Sequence, residues 1–136
     1  MPTREEIVLL EPFCGLTIEQ IQVPVTDDQF AAAVSEIQAA GAVGFDTETK
    51  PVFVRGATNE GPDLVQFATE HRAFLFQLHR LVCRPYLIEL LQSVAVMKIG
   101  FDLTSDRSLL QHKLGVETQG IIDLSRAFRQ RGYRQT

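Results

Sequence analysis

Asp46 and Glu48 are two carboxylates one residue apart in Ala42-Val43-Gly44-Phe45-Asp46-Thr47-Glu48-Thr49-Lys50-Pro51. On an extended backbone that spacing puts both on one face, with Val43 and Phe45 on the other. Ionised and unpaired, two acids beside a packed strand are costly, so a cation belongs between them. All-oxygen ligands suit a hard divalent ion, which points to Mg2+ or Mn2+. With 7 Asp and 10 Glu in the chain, roughly half an Asp-x-Glu triplet is expected by chance. The triplet therefore gains its weight from position, because acids at the end of a buried strand are far rarer than acids on a surface. A solvated strand end, or a cap for the next element, is the competing reading.

A third acid extends the pattern. In Phe101-Asp102-Leu103-Thr104-Ser105-Asp106-Arg107-Ser108-Leu109-Leu110, Asp106 shares helical spacing with Leu109, Leu110 and Lys113, so it belongs to the inward side of a first helical turn. Thr104 or Ser105 would cap that helix, and an acid stabilising the helix N-terminus is the plainer role for Asp106. Three carboxylates around one or two hard cations serve metal-assisted phosphoryl chemistry. One ion activates water and the other, about 3.5–4 Å away, stabilises the leaving oxygen. A phosphatase with an aspartate nucleophile is disfavoured, since Glu48 stands where such a site wants a second aspartate.

These residues need elements to hold them. Ala42–Glu48 is expected to be a central strand, with Val and Phe favouring the pleat. Ahead of it, Phe30, Ala33, Val34 and Ile37 mark a helix that Thr26 or Asp27 caps and Gly41 ends. Residues 21–25 can form a short edge strand, the only place for Pro24. Residues 1–20 are expected to be an irregular arm, and 50–62 a hairpin connection or loop. Strands are expected at 63–68 and 73–78, paired antiparallel through a turn at 69–72. A helix started by Pro85 runs over 85–92, and a buried strand over 94–99. After the Asp106 helix come a short strand at 120–123 and a helix from Leu124 to Arg131. In such an open α/β sheet, ligands gather beyond the carboxyl ends of the strands.

Composition narrows the class. A chain of 136 residues, 45% hydrophobic and 22% charged, makes one ordinary globular domain. No apolar run reaches the length of a membrane span, and residues 1–10 lack the pattern of a signal peptide, so the cytoplasm is the expected location. Cys14 and Cys83 have no C-x-x-C partner, and the three histidines do not cluster, which argues against zinc or a disulfide. The net charge of −4 argues against bulk electrostatic binding of nucleic acid. Residues 126–136 carry four arginines and no acid. That tail is read as a solvated helix face in preference to a phosphate-contacting patch.

Val43-Gly44-Phe45-Asp46-Thr47-Glu48 resembles the first motif of the DEDD-type 3′–5′ exonucleases. Lys98, Gly100, Asp106 and Leu109-Leu110 resemble the second, in the ribonuclease D-like subgroup that includes the exonuclease domain of the Werner syndrome helicase. Leu64-Val65-Gln66-Phe67-Ala68 matches the strand between them. The resemblance implies a ribonuclease H-like α/β fold over residues 21–136, with a mixed five-stranded sheet, one strand antiparallel, flanked by helices. It implies Asp46, Glu48 and Asp106 as catalytic metal ligands for two Mg2+ or Mn2+ ions, with Glu48 near the attacking water. Asp102 is the alternative third ligand. Thr47, Thr49 and Phe101 would line the groove for the terminal nucleotide of a single-stranded or 3′-end nucleic acid.

The same family carries a third motif, a tyrosine or histidine four residues before a last aspartate, which this sequence does not contain. Tyr133 does not fill it. The expectation is a C-terminally incomplete domain with weak or no activity alone, or a non-catalytic nucleic-acid- or protein-binding module on the same scaffold. A shortened gene product, a degenerate relative and a site completed by a second copy are the three explanations. Sheet surface left bare would favour a homodimer.

Overall fold

The computed structural model describes residues 4–12, 14–51 and 61–132. Most of the expected 50–62 connection and Tyr133 lie outside them. The elements in chain order are α1 (Arg4–Val8), β1 (Ile21–Gln22), α2 (Asp27–Ala40), β2 (Ala42–Glu48), β3 (Leu64–Ala68), β4 (Ala73–Gln77), α3 (Cys83–Gln92), β5 (Met97–Gly100), α4 (Thr104–Leu114), β6 (Ile121–Asp123) and α5 (Leu124–Gln130). The strands form one mixed sheet in the order β1-β4-β3-β2-β5-β6. Only β3 runs against its neighbours, antiparallel to both β2 and β4. The sheet has six strands where the resemblance implied five; the additional one is the edge strand read at 21–25, shortened to the two-residue β1 beside β4. It stops before Pro24, which has no N–H to continue the ladder.

Helix α2 shows how local chemistry sets the elements. The Thr26 hydroxyl accepts the Gln29 N–H at 3.3 Å, and the Gln29 side chain accepts the Thr26 N–H in return. This reciprocal box closes the helix N-terminus. Gly41 ends the helix at φ +68°, a left-handed turn that a side chain would strain. One apolar stripe of α2, Phe30, Ala33, Val34 and Ile37, is buried against the sheet. The facing side of the sheet supplies Val43 and Phe45, Val65 and Phe67, Phe74 and Phe76. Their rings interlock edge-on, Phe30 with Phe76 at 5.3 Å and Phe67 with Phe76 at 5.4 Å between centroids. Leu87, Leu90 and Leu91 of α3 and Leu103, Leu110 and Leu114 around α4 complete the same core.

Three expectations shift. The arm at 1–20 is not wholly irregular, since Arg4–Val8 is helical with Glu5 and Glu6 in its first turn, where the helix dipole favours acids. None of its residues is buried. The strand expected at 94–99 begins only at Met97, and Val94 and Ala95 are exposed. The cause lies in Lys98, fully buried, whose ammonium donates to the carbonyls of Leu90 and Ser93 at 2.8 Å each. That clamp draws the end of α3 and residue 93 inward, so the chain bends before it can extend. Finally, neither Thr104 nor Ser105 caps α4; both sit beyond its N-cap Leu103, which makes no side-chain cap bond.

Candidate active site

Strand β2 outruns its neighbour. It pairs with β5 only from Ala42↔Met97 to Gly44↔Ile99, yet continues to Glu48. At Gly100 the backbone of β5 comes so close to the Phe45 carbonyl that a Cβ would overlap it. Only glycine allows that approach. Immediately beyond, β5 ends and the chain turns through Phe101 and Asp102, so β2 continues to Glu48 without a paired β5 residue.

Asp46 and Glu48 stand exposed on one face of β2, while Val43 and Phe45 are buried on the other. The alternation is the one expected from the sequence. Within it, an Asp46 carboxylate oxygen accepts the Thr47 N–H at 2.9 Å. Asp63 closes the end of the strand, accepting the Lys50 N–H at 2.8 Å and donating its own N–H to the Glu48 carbonyl at 2.9 Å. A groove of ≈ 290 Å³ runs past Glu48, lined also by half-buried Thr49, Asp63, Leu64 and Gln77 and by exposed Lys50 and His79. Asp63 and His79 were legible only as a strand start and a turn, because pairing of β3 and β4 brings them here.

Asp106 is half-buried on the inward side of α4, as its spacing with Leu110 requires. Its carboxylate accepts a hydrogen bond from the Thr47 hydroxyl. Thr47 alternates to the face opposite Asp46 and Glu48. The third acid therefore reaches β2 between the first two, but from the core side. Among the described residues no three Asp, Glu, His or Cys side chains are grouped to hold a metal ion. The donor set, all carboxylate oxygen, has the chemistry for Mg2+ or Mn2+.

Asp123, which the sequence marked only as the end of a strand, organises the approach to α4. Its carboxylate accepts the N–H groups of Asp102 at 3.2 Å and Leu103 at 3.1 Å, and those of Ser125 and Arg126 at the start of α5. One side chain thus caps α5 and holds the two residues that lead into α4, without capping α4 itself. It also holds Asp102, the alternative third ligand, at φ +53°, a left-handed conformation uncommon outside glycine. Asp102 and Phe101 are both exposed, and the Phe101 ring stacks on Phe128 of α5.

The sequence profile described as 3′-5′ exonuclease matches residues 21–136. The chain belongs to this exonuclease family. Among solved structures, the Nibbler EXO domain of Aedes aegypti is similar at a TM-score of 0.71 and 23% identity, covering 85% of this chain and 57% of that one. Trypanosoma brucei RNase D in complex with RNA U12 is similar at 0.66 and 27%, covering 76% and 37%. The EXD2 exonuclease domain soaked in Mg and GMP is similar at 0.66 and 19%, covering 83% and 60%. The chain thus spans from about a third to three fifths of the length of these structures. No curated protein matches it significantly. The six-stranded mixed sheet with flanking helices is the ribonuclease H-like exonuclease fold, and the matched profile places the chain among 3′–5′ exonucleases. No helix among the described residues is long and apolar enough to cross a membrane.

Proposed function

We propose that residues 21–136 are a metal-dependent 3′–5′ exonuclease domain that removes nucleoside monophosphates from the 3′ end of a nucleic acid. One observation carries this reading: Asp46 and Glu48 share an exposed face at the end of β2, and Asp106 is bonded to the residue between them. Asp46 and Glu48 would hold Mg2+ or Mn2+, with Asp106 added once its carboxylate turns from Thr47. Bound there, two such ions supply an activated water and neutralise the leaving oxygen. Glu48 would orient the attacking water, and Thr49 and Phe101 would position the terminal nucleotide, whereas Thr47, read from the sequence as a third lining residue, turns to the core side and holds Asp106. A nucleic-acid partner is supported by the RNA bound to Trypanosoma brucei RNase D.

Because Asp106 is engaged by Thr47, hydrolysis by this chain alone is expected to be weak. The absence of a three-carboxylate group among the described residues also favours a second reading, a binding module without catalysis on the same scaffold. Thermal unfolding in millimolar Mn2+ separates the two. The nuclease reading expects stabilisation that Asp46→Asn abolishes, with slow release of a 3′-terminal label from single-stranded RNA or DNA. Equal unfolding temperatures with and without the metal would leave only the binding module. The outer side of β3 and β4, with Leu64 and Leu75 half-buried, is the surface through which a homodimer would form. Sedimentation at high concentration tests that, and a strictly monomeric profile refutes it.

A further inference from the structure

Register aligns one row of residues across the whole sheet. Ile21 pairs with Ala73, Ala73 with Ala68, Ala68 with Gly44, Gly44 with Ile99 and Ile99 with Ile122. Paired residues share a face, and this face is opposite the one that packs on α2. Every member of the row is half-buried or exposed, as are Leu75 and Met97 on the same side, whereas Val43, Phe67 and Phe74 on the other are buried. Sheets of mainly parallel strands are covered on both faces, so a partner is due here. A second apolar surface lies near the N-terminus. Ile7, Val8, Leu9 and Leu10 are each more than half exposed, and no residue of α1 is buried. So short a helix gains too little from its own hydrogen bonds to persist unaided. Glu5, Glu6 and Glu11 flank the apolar run, against one cation, Arg4. Asp46 and Glu48 would repel such a segment from the middle of the bare face. The β6 edge suits it, with Met97, Ile99 and Ile122 on that face, then exposed Arg126, Arg129 and Arg131 and no acid from Leu124 to Gly132.

We propose that two copies of this chain pair through the bare face and exchange α1, each laying it along the partner's β6 edge beside the α5 arginines. This rests on the proposed homodimer and names the element that closes it. The arm is too short to serve its own chain. In the order β1-β4-β3-β2-β5-β6 the two edges are five spacings apart, roughly 24 Å. Residues 11–17 reach about that far only when fully extended, and Gly15, at φ +72°, bends them. A twofold axis along the strands turns the partner's sheet over, so that the partner's β1 faces this β6 across the ~10 Å between packed sheets. The shared row then brings the partner's Ile21 over Ile122. From there the arm has only that gap to cross, and its glutamates meet the arginines.

Sedimentation of the full chain measures the association. Leu9 is 85% exposed, so Leu9→Glu spares the fold. It should weaken the dimer roughly ten- to a hundredfold. Glu5→Lys with Glu11→Lys should weaken it about tenfold, and adding Arg126→Glu with Arg129→Glu should restore it. Cross-linking then locates the arm, in a Cys14→Ser background because Cys14 is exposed. Leu9→Cys protein mixed with Ile122→Cys protein and oxidised with copper phenanthroline should give a disulfide-linked pair of chains. A variant carrying both cysteines that closes the bond within one chain would overturn the exchange. So would a dimer indifferent to Leu9→Glu, although the pairing of bare faces would then stand. A monomeric wild type overturns both. Stabilisation by Mn2+ and its loss in Asp46→Asn are read separately, so the nuclease reading stands or falls by itself.

Discussion

The Thr47 hydroxyl donates a hydrogen bond to the Asp106 carboxylate, joining the middle of the Asp-x-Glu segment to the first turn of α4. Residues far apart in sequence are thereby fixed as neighbours, and the third acid is held on the core side of β2. This bond stabilises the metal-free chain and, in the proposed metal site, would compete with coordination by Asp106.

Thr47→Val should expose that competition. Losing a hydrogen bond to a charged group costs about 1.5–3 kcal/mol, so the variant should unfold at lower temperature without metal. With Asp106 released, its stabilisation by Mn2+ should exceed that of the wild type. Calorimetric melts with and without the ion check both, and an unchanged Mn2+ response would show that Asp106 is not a ligand.

Asp123→Ala removes the acceptor shared by four backbone N–H groups. Loss of a helix cap alone costs about 1 kcal/mol, and the two N–H groups ahead of α4 add to it, for about 2–4 kcal/mol in urea unfolding. Asp123→Asn keeps a carbonyl oxygen and should lose less. Hydrogen exchange at Asp102 and Leu103 should accelerate in the alanine variant.

Gly100→Ala should be poorly tolerated, since its methyl overlaps the Phe45 carbonyl and meets the Leu103 side chain. Relief requires β5 to move away from β2, at a cost of about 1–3 kcal/mol. Amide shifts in the NMR spectrum should spread through Phe45 and Asp46. A variant as stable as wild type would contradict the close approach.

Burial pushes the Lys98 ammonium down from 10.5 to about 8. The unfolded chain then binds its proton more tightly than the folded chain, so stability should rise with pH from about 8 towards 10.5, and the penalty is full below 8. The neutral amine can still donate to both Leu90 and Ser93. Buried Cys83, raised from 9.0 by burial, acts in the opposite sense above its ordinary range. The clean window is therefore pH 8–9, with a slope of at most about 1.4 kcal/mol per unit. Urea midpoints across that window should climb in the wild type and stay flat in Lys98→Met.

The elements nearest the chemistry were legible because short-range rules govern them. Alternation in Val43-Gly44-Phe45-Asp46 set which side chains share a face, and a cap at Thr26 or Asp27 with Gly41 at the far end bounded α2. The spacing of Asp106 with Leu109 and Leu110 fixed its inward side. Those patterns repeat within a few residues, and the chain carries them wherever it folds.

What joins those elements was not written locally. That Lys98 would bend residues 93–96 out of a strand, or that Asp123 would hold the residues leading into a helix that begins far upstream, depends on contacts between segments with no shared period. The same holds for Phe101 meeting Phe128, and for Asp106 finding Thr47 rather than Asp46 or Glu48. Residue type and spacing determined the acids, the strand that bears them and the family they belong to. Packing of α4 and α5 against the sheet decided which of those acids are neighbours, because a side chain's partner is set by the three-dimensional register of elements and not by its position along one of them.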